Sequence, residues 1–559
     1  MRIAICQLNP TVGDLDGNRV LVREAVEAAV AAGATVAVLP ELVLPGYPPL
    51  DLLERPTFLS ACREAERELI AELPEGIVAI FGNIAANPST VGRPLLNVAV
   101  LARRGERIGR VAKTLLPTYD VFDEARYFEP NPGGPPAVFE LAGKKVGVTV
   151  CEDIWNDEIL DRDTHGPWDD SSEGNRIYRQ NPVTGLVEAG AEIIVNLSAS
   201  PWSRSKLDLR EGLVSHLSRH HRVWCIYANT VGANDGLIFD GQSIASNPDG
   251  EIVARLPGWV PETAVLDLDA PGLELSPRTS EIEDIRAALV LGVRDYFEKT
   301  GIPRAVIGLS GGIDSAVTCA VAVEALGKDR VIGVAMPSKV SSGHSVEDAA
   351  ALAKNLGIEY FEVPIEAAVS AFETILAEPF AGRAPDVTEE NIQSRVRGTT
   401  LMAVANKRGG AVLGTGNKSE ASMGYATLYG DTIGAISVLA DLYKHQVYAL
   451  AHCYNAEEEV VPARTIEKPP SAELRPGQKD SDSLPDYAIL DGVLERIIEQ
   501  RMSAEAIASD MSIEPELAQG ILRKVYFNEF KRKQMPPTLR ICRKAWVGRV
   551  YPIVQRFRR

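Results

Sequence analysis

The chain has 559 residues, of which 45% are hydrophobic and 24% charged, and its 58 basic and 76 acidic side chains leave a formal net charge of −18. That length excludes a single ordinary core and predicts two or more domains, and the composition is that of a globular chain rather than a disordered one. The acidic balance disfavours non-specific nucleic-acid binding, and no apolar run approaches the roughly 18 residues of a membrane span, so small-molecule substrates are expected and neither nucleic acid nor membrane. The seven cysteines are odd in number and contain no C-x-x-C pair, which argues against a disulfide framework or a zinc site. The opening Met1-Arg2-Ile3-Ala4-Ile5-Cys6 reads as a strand rather than a signal peptide, and a cytoplasmic enzyme is the expectation.

From residue 2 the chain alternates apolar strands with amphipathic helices: a strand at 3–8, a helix over about 19–32, and a strand at 36–39 running into Pro40-Glu41. Further strands read at 78–81, 98–101, 146–150, 193–196 and 223–227, with 263–268 as the last. This alternation predicts a layered α/β domain over residues 1–269. Glu41, Lys113 and Cys151 lie at or beside strand ends, and the three residue types suit thiol chemistry on an amide. The carboxylate takes the thiol proton and returns it to leaving ammonia. The ammonium lowers the thiol pKa and supports the tetrahedral oxyanion, which the N–H after the cysteine can complete. Between Asn156 and Asn181 the composition turns polar, which predicts a surface excursion; His165 has no second histidine at ligand spacing and reads as solvated.

On Glu41, Lys113 and Cys151, in that order and those surroundings, residues 1–269 resemble the nitrilase superfamily of amidases. The resemblance implies an α-β-β-α sandwich with those three as its catalytic residues. The stretch from Pro117 to Phe128 resembles the version found in glutamine-using members, which implies that Tyr119 contacts glutamine and that Glu124 is a second, orienting glutamate. Ser200 and Lys206 match further glutamine-contact positions. Pro271-Gly272 and Ser276-Pro277-Arg278 mark a linker over 270–280.

Beyond it, a helix over about 280–299 precedes an apolar strand at 304–307, then Gly308-Leu309-Ser310-Gly311-Gly312-Ile313-Asp314-Ser315, then a helix over 316–324. Strand, glycine turn and helix in that order aim backbone N–H groups and a positive helix end at one spot, so an anion is the expected ligand. Gly311 and Gly312 allow close backbone approach, Ser310 and Ser315 add hydroxyl donors, and Asp314 can hold a magnesium ion on the same phosphates. No Gly-Lys-Ser/Thr follows, so this is not a Walker loop. Strands at 331–336, 360–363 and 411–413 with intervening helices predict an open, doubly wound parallel sheet in residues 281–559, with ligands at the carboxyl ends of its strands. A capped helix opens at Thr388. A second glycine turn, Gly414-Thr415-Gly416-Asn417-Lys418-Ser419-Glu420, brings an acid to share the magnesium with Asp314.

The first loop resembles that of the ATP pyrophosphatases, Ser-Gly-Gly-x-Asp-Ser, which leave AMP on a substrate oxygen; this implies ATP contacts along Gly308 to Ser315. With the second turn, and with Asn391 and Tyr425-Ala426-Thr427-Leu428, residues 280–537 resemble the synthetase domain of NAD synthetases. That resemblance implies Thr415 as an ATP contact, Glu420 as a magnesium and substrate contact, and Asn391, Tyr425, Ala426, Thr427, Leu428 and Lys531 as contacts of nicotinic acid adenine dinucleotide (deamido-NAD). The stretch 462–486, rich in Pro, Glu and Asp, is expected to be a mobile segment that closes over ATP.

Together the halves resemble the glutamine-hydrolysing NAD synthetases. The resemblance implies ATP with magnesium, glutamine and deamido-NAD as substrates, an internal path for ammonia, and a homo-oligomer. Other readings stand beside it: an amidotransferase adenylating a different acceptor, an amidase whose second half senses nucleotide, and a tRNA-modifying enzyme with the same ATP loop. The acidic charge and absence of paired cysteines disfavour the last.

Overall fold

The apolar strands of the first half assemble into two six-stranded sheets. One runs in the order Glu262–Asp267, Arg2–Gln7, Val36–Val38, Val78–Ala86, Leu95–Arg103, Glu106–Ala112, and the other Ile252–Arg255, Ile244–Ser246, Trp224–Asn229, Ile193–Ser198, Lys144–Val150, Val138–Leu141. The computed structural model describes residues 1–133, 136–156 and 178–556 and divides into two units, Met1–Thr279 and Ser280–Arg559. Residues 157–177, with His165 and most of the polar excursion, lie outside the described residues, as do 557–559.

Strand pleating explains why the central strands are apolar on both faces. Ile3, Ile5, Val36 and Val38 meet Val146, Val148, Ile193 and Val195 of the opposite sheet, forming the inner core. The alternate residues Ala4, Cys6 and Ala37 face Val22, Ala25 and Val26 of the helix Leu15–Ala31 and Leu69 of Pro56–Glu72. Behind the second sheet, Ile194, Cys225 and Tyr227 pack on Leu213, Val214 and Leu217 of Lys206–His221. Helix, sheet, sheet and helix therefore stack as the expected α-β-β-α sandwich. Residues after the last strand stay with this unit: Leu273 N–H donates to Val253 and Ser276 N–H to Arg255, while Arg278 pairs with Asp208 and Glu211.

In the second unit five strands are all parallel, in the order Glu359–Glu362, Val331–Ala335, Ala305–Gly308, Ala411–Gly414, Ile436–Ser437. The order reverses between Ala305–Gly308 and Ala411–Gly414, and such a switch point opens a crevice at the strands' carboxyl ends. Both glycine turns leave from that point. The helix after the first turn begins at Ile313, three residues earlier than the sequence suggested, so Asp314 and Ser315 lie in its first turn. Helices Tyr487–Ile498, Ala504–Met511 and Pro515–Phe527 build a separate apolar cluster with Met423 and Tyr443. Residues 462–486 carry a short helix, Ala463–Glu467, and a 3-10 turn, Asp480–Asp482, rather than bare loop. No helix among the described residues is long and apolar enough to cross a membrane.

Candidate active sites

In the first unit, Glu41 is reached by a close crossing of chains. A Cβ on Gly82 would lie 2.0 Å from Leu42 N, so only glycine in Val78–Ala86 lets the segment after Val36–Val38 pass over it. Lys113 follows Glu106–Ala112, and Cys151 follows Lys144–Val150 with φ of +43°, a left-handed backbone outside the strand geometry. Lys113 Nζ donates to Glu41 Oε1 at 2.7 Å and to both oxygens of Glu124 at 2.8 Å, so all its N–H groups are engaged. Glu41 also accepts from Asn97 Nδ2 at 2.7 Å and Ala199 N at 3.1 Å, and Tyr47 OH donates to Glu124 at 3.0 Å. Asn97 and Tyr47 are supports that no motif announced.

Burial, the largest influence, pushes the Cys151 thiol well above its ordinary pKa, and the Glu41 carboxylate adds to this while Lys113 opposes it. Lys113 acts in the direction the sequence predicts, but desolvation and the neighbouring carboxylates outweigh it. A thiol raised in this way needs a base before it can attack. Burial also raises Glu124, to about 7, against Lys113. Lys113 is disfavoured by burial, yet Glu124 and Glu41 outweigh that and hold it well above its ordinary value.

Tyr119 OH donates to Glu152 at 2.9 Å, and Tyr178 OH donates to the same carboxylate at 3.1 Å. Ser200 is buried, its N–H donating to Asn229 Oδ1 at 2.9 Å and its carbonyl accepting from Arg210 at 2.7 Å. Lys206, the first residue of its helix, sets its ammonium 4.3 Å above the Trp155 ring. Glu152 escaped the sequence reading, although its signal was simply its place beside the cysteine.

In the second unit, Gly311 takes φ of +74°, and a Cβ there would lie 2.2 Å from the Ser345 carbonyl oxygen. Ser315 Oγ donates to Gly312 O at 3.0 Å and Gly312 N–H donates to Ser310 Oγ at 3.1 Å, which closes the loop on itself. Two cavities meet at the turns. One of about 250 Å³ is lined by Gly308, Leu309, Ser310 and Thr415 with Met336 and Arg397. The other, of about 190 Å³, is lined by Gly312 to Ser315, Glu420, Tyr425, Ala426 and Lys444.

Asp314 and Glu420 converge as expected, but on an ammonium: Lys444 Nζ lies 2.5 Å from Asp314 Oδ2 and 3.2 Å from Glu420 Oε1. Asn417 Nδ2 donates to the other oxygen of Asp314 at 2.9 Å. Burial raises the Glu420 carboxyl to about 7 against Lys444. Among the described residues no group of three or more His, Cys, Asp or Glu is gathered as a metal site. The sequence assigns Lys444 no role, although a lysine opening a helix, here Lys444–Tyr454, opposes the macrodipole and so signals a carboxylate partner.

Asn391 Oδ1 accepts from Thr427 Oγ1 at 2.8 Å, and Lys531 Nζ donates to Gly424 O at 2.8 Å and Ala426 O at 2.7 Å. Leu428 O accepts from Arg395 at 3.2 Å. These residues join one wall; of that wall, Tyr425 and Ala426 are among the described residues lining the cavity, whereas Asn391, Thr427, Leu428 and Lys531 are not. Lys468 and Glu473, from the 462–486 stretch, do line it, and both bond Ser345 Oγ, at 3.0 and 2.6 Å.

The two geometries have counterparts among known proteins. A family described as carbon-nitrogen hydrolase matches residues 2–161 and 175–278, and one described as NAD synthase matches residues 285–535. A glutamine-dependent NAD(+) synthetase of Synechocystis sp. is 43% identical over 565 residues, 99% of each chain, and one of Thermotoga maritima is 38% identical over 600 residues, 100% of this chain and 99% of that one. The solved structure of the glutamine-dependent NAD+ synthetase from Acinetobacter baumannii in complex with adenosine diphosphate has a TM-score of 0.76 at 36% identity, over 99% of this chain and 98% of that one. With two catalytic halves matched in one order over their full length, the chain belongs to the glutamine-dependent NAD(+) synthetases, ligases that hydrolyse glutamine to make NAD.

Proposed function

We propose that Cys151 is the glutaminase nucleophile, Glu41 its base and Lys113 its oxyanion support, within a glutaminase domain over 1–269. The observation that carries this is the single buried ammonium of Lys113 shared by Glu41 and Glu124 beside Cys151. Because the thiol is raised and needs a base, Glu41 takes its proton as sulfur attacks the glutamine carboxamide carbon. The same proton goes to the departing ammonia, leaving a glutamyl thioester that water hydrolyses to glutamate. Lys113 can turn toward the oxyanion by giving up one of its two bonds to Glu124, which keeps the other. Tyr119, Ser200 and Lys206 hold the glutamine, with Glu152 a carboxylate suited to its α-ammonium.

In the synthetase domain, 281–559, the deamido-NAD carboxylate attacks the α-phosphorus of ATP, pyrophosphate leaves, and ammonia displaces AMP to give the amide. Gly308 to Ser315 and Thr415 bind ATP, supported by their common crevice and by the ADP bound to the Acinetobacter baumannii relative. Asn391, Glu420, Tyr425 to Leu428 and Lys531 form the deamido-NAD side. Asp314 and Glu420 are two oxygen donors of the kind that hold magnesium when phosphates and water supply its other ligands. When bound, that ion neutralises charge on the phosphates. Lys444, already between these carboxylates, offers its ammonium to the same phosphates. The enzyme works in the cytoplasm as a homo-oligomer.

The test is Cys151→Ala. Glutamine-supported NAD synthesis is expected to vanish while ammonium-supported synthesis persists, and loss of both from a folded variant would overturn the division of labour. Asp314→Ala is expected to stop AMP formation with either nitrogen source.

A further inference from the structure

Asp153 is a buried carboxylate that the chemistry above does not use. Its Oδ1 accepts from Thr114 N–H at 2.9 Å and Leu115 N–H at 2.8 Å, and its Oδ2 accepts from Val150 N–H at 3.0 Å. Thr114 and Leu115 directly follow Lys113, and Val150 directly precedes Cys151. We propose that Asp153 is a positioning residue for glutamine hydrolysis: one carboxylate clamps the segment carrying Lys113 to the segment carrying Cys151 and thereby sets ammonium against thiol. The inference rests on the reading of Lys113 and Cys151 as catalytic.

The surrounding bonds fit a clamp more closely than general packing. Cys151 holds a left-handed backbone, a conformation that persists only where neighbours over-determine it. Asp153 fixes the N–H of Val150, the residue before Cys151, and Asn196 Nδ2 fixes the Cys151 carbonyl at 3.2 Å. On the other side, Lys113 N–H donates to Asn97 O at 2.8 Å and Asn131 N–H to Lys113 O at 2.9 Å, so the lysine backbone is held before and after the side chain departs. Among the described residues the Asp153 oxygens link these two pinned segments directly. Burial raises this carboxyl to about 6, opposed chiefly by the backbone N–H groups. A carboxylate alone can supply acceptors to both segments, because an amide has one oxygen and its NH2 would confront an N–H on the other side.

Asp153→Asn therefore keeps the shape and releases one segment. In the full-length enzyme, kcat for glutamine hydrolysis per titrated active-site thiol is expected to fall by about tenfold to a hundredfold, the scale of an ångström-sized misplacement. The KM for glutamine is expected to move less than about threefold, and ammonium-supported synthesis to stay within about twofold of the parent. Support for the fold alone would lower the melting temperature and the amount of titratable thiol but leave kcat per thiol at the parent value. That result, or equal loss of both activities, overturns the clamp. If Asp153→Asn yields no folded chain, Asp153→Glu, which keeps the charge and displaces it by a methylene, is judged by the same two criteria. Cys151→Ala, run in parallel, separates the two failures: a variant that still hydrolyses glutamine removes the underlying reading, whereas its loss beside an unaffected Asp153→Asn removes only the clamp.

Discussion

In the first half Lys113 lies between Glu41 and Glu124 with side chains 0, 0 and 7% exposed, and in the second Lys444, 2% exposed, lies between Asp314 and Glu420 at 19 and 18%. A closed charge cluster has lost its hydration and retains only its mutual geometry in return, so its parts are fixed against one another. Carboxylates that face a cavity keep part of their hydration and can exchange a lysine for a cation that arrives on phosphate. The closed cluster suits a reaction whose charges develop on a small amide. The open one suits a substrate that brings several negative charges of its own.

Lys113→Met tests the closed cluster most severely. It strands two buried carboxylates, and removal of one partner from such a cluster costs about 3–5 kcal/mol. A large drop in the denaturant midpoint is expected, with glutamine hydrolysis lost. Lys444→Met is expected to abolish adenylation from both nitrogen sources, yet to cost only about 1–2 kcal/mol, because Asp314 and Glu420 can rehydrate from the cavity. Denaturation of the two variants side by side decides the matter. Equal stability losses would mean that the difference in exposure has no energetic content.

A pH profile sharpens the same contrast. The Glu124 carboxyl is raised from 4.5 to about 7, so between those values the folded chain holds a proton that the unfolded chain has released. Its contribution to stability is full below the unfolded value and is lost as pH rises through about 7. Catalysis runs the other way, since below about 7 the protonated Glu124 no longer pairs with Lys113 as an anion. Glutamine kcat/KM is expected to fall as pH drops through that value, and Glu124→Gln to remove this limb. A limb that persists in the variant belongs to another group.

Much of this was legible in the sequence, and the rest fails for physical reasons. Glu41, Lys113 and Cys151 stand out in the sequence as reactive side chains at or beside the ends of apolar runs and by their resemblance to the nitrilase superfamily, and the structure sets Lys113 against Glu41 with both acting on the Cys151 thiol. The two glycine turns were found in the same way and meet at the switch point of the second sheet. Lys444 was not, because its partner Asp314 is 130 residues away and their meeting depends on strand order, which periodicity does not encode. The net thiol pKa was not legible, because sequence names the charges around Cys151 and is silent on their hydration. Asp153 stood in view two residues after the cysteine, but its work is done through backbone N–H groups, and these have no sequence signature. The 462–486 stretch read as a loop from its prolines and acids, although a helix and a 3-10 turn lie within it.

The smallest expected effect tests how far the closed site depends on neutral donors. Tyr119 and Tyr178 both donate to Glu152, so Tyr119→Phe leaves that carboxylate one hydroxyl rather than none. Loss of one such bond costs about 1 kcal/mol, which corresponds to roughly a fivefold rise in KM for glutamine. The kcat should not change, because Tyr119 is read as holding the substrate rather than stabilising charge that develops during attack. In the open site Tyr425 accepts a longer bond, 3.4 Å, from Gln478, and Tyr425→Phe is expected to shift the deamido-NAD KM less. A fall in kcat for Tyr119→Phe at constant KM would move Tyr119 from substrate binding to the chemical step, and the closed site would then depend on more than its lysine and carboxylates.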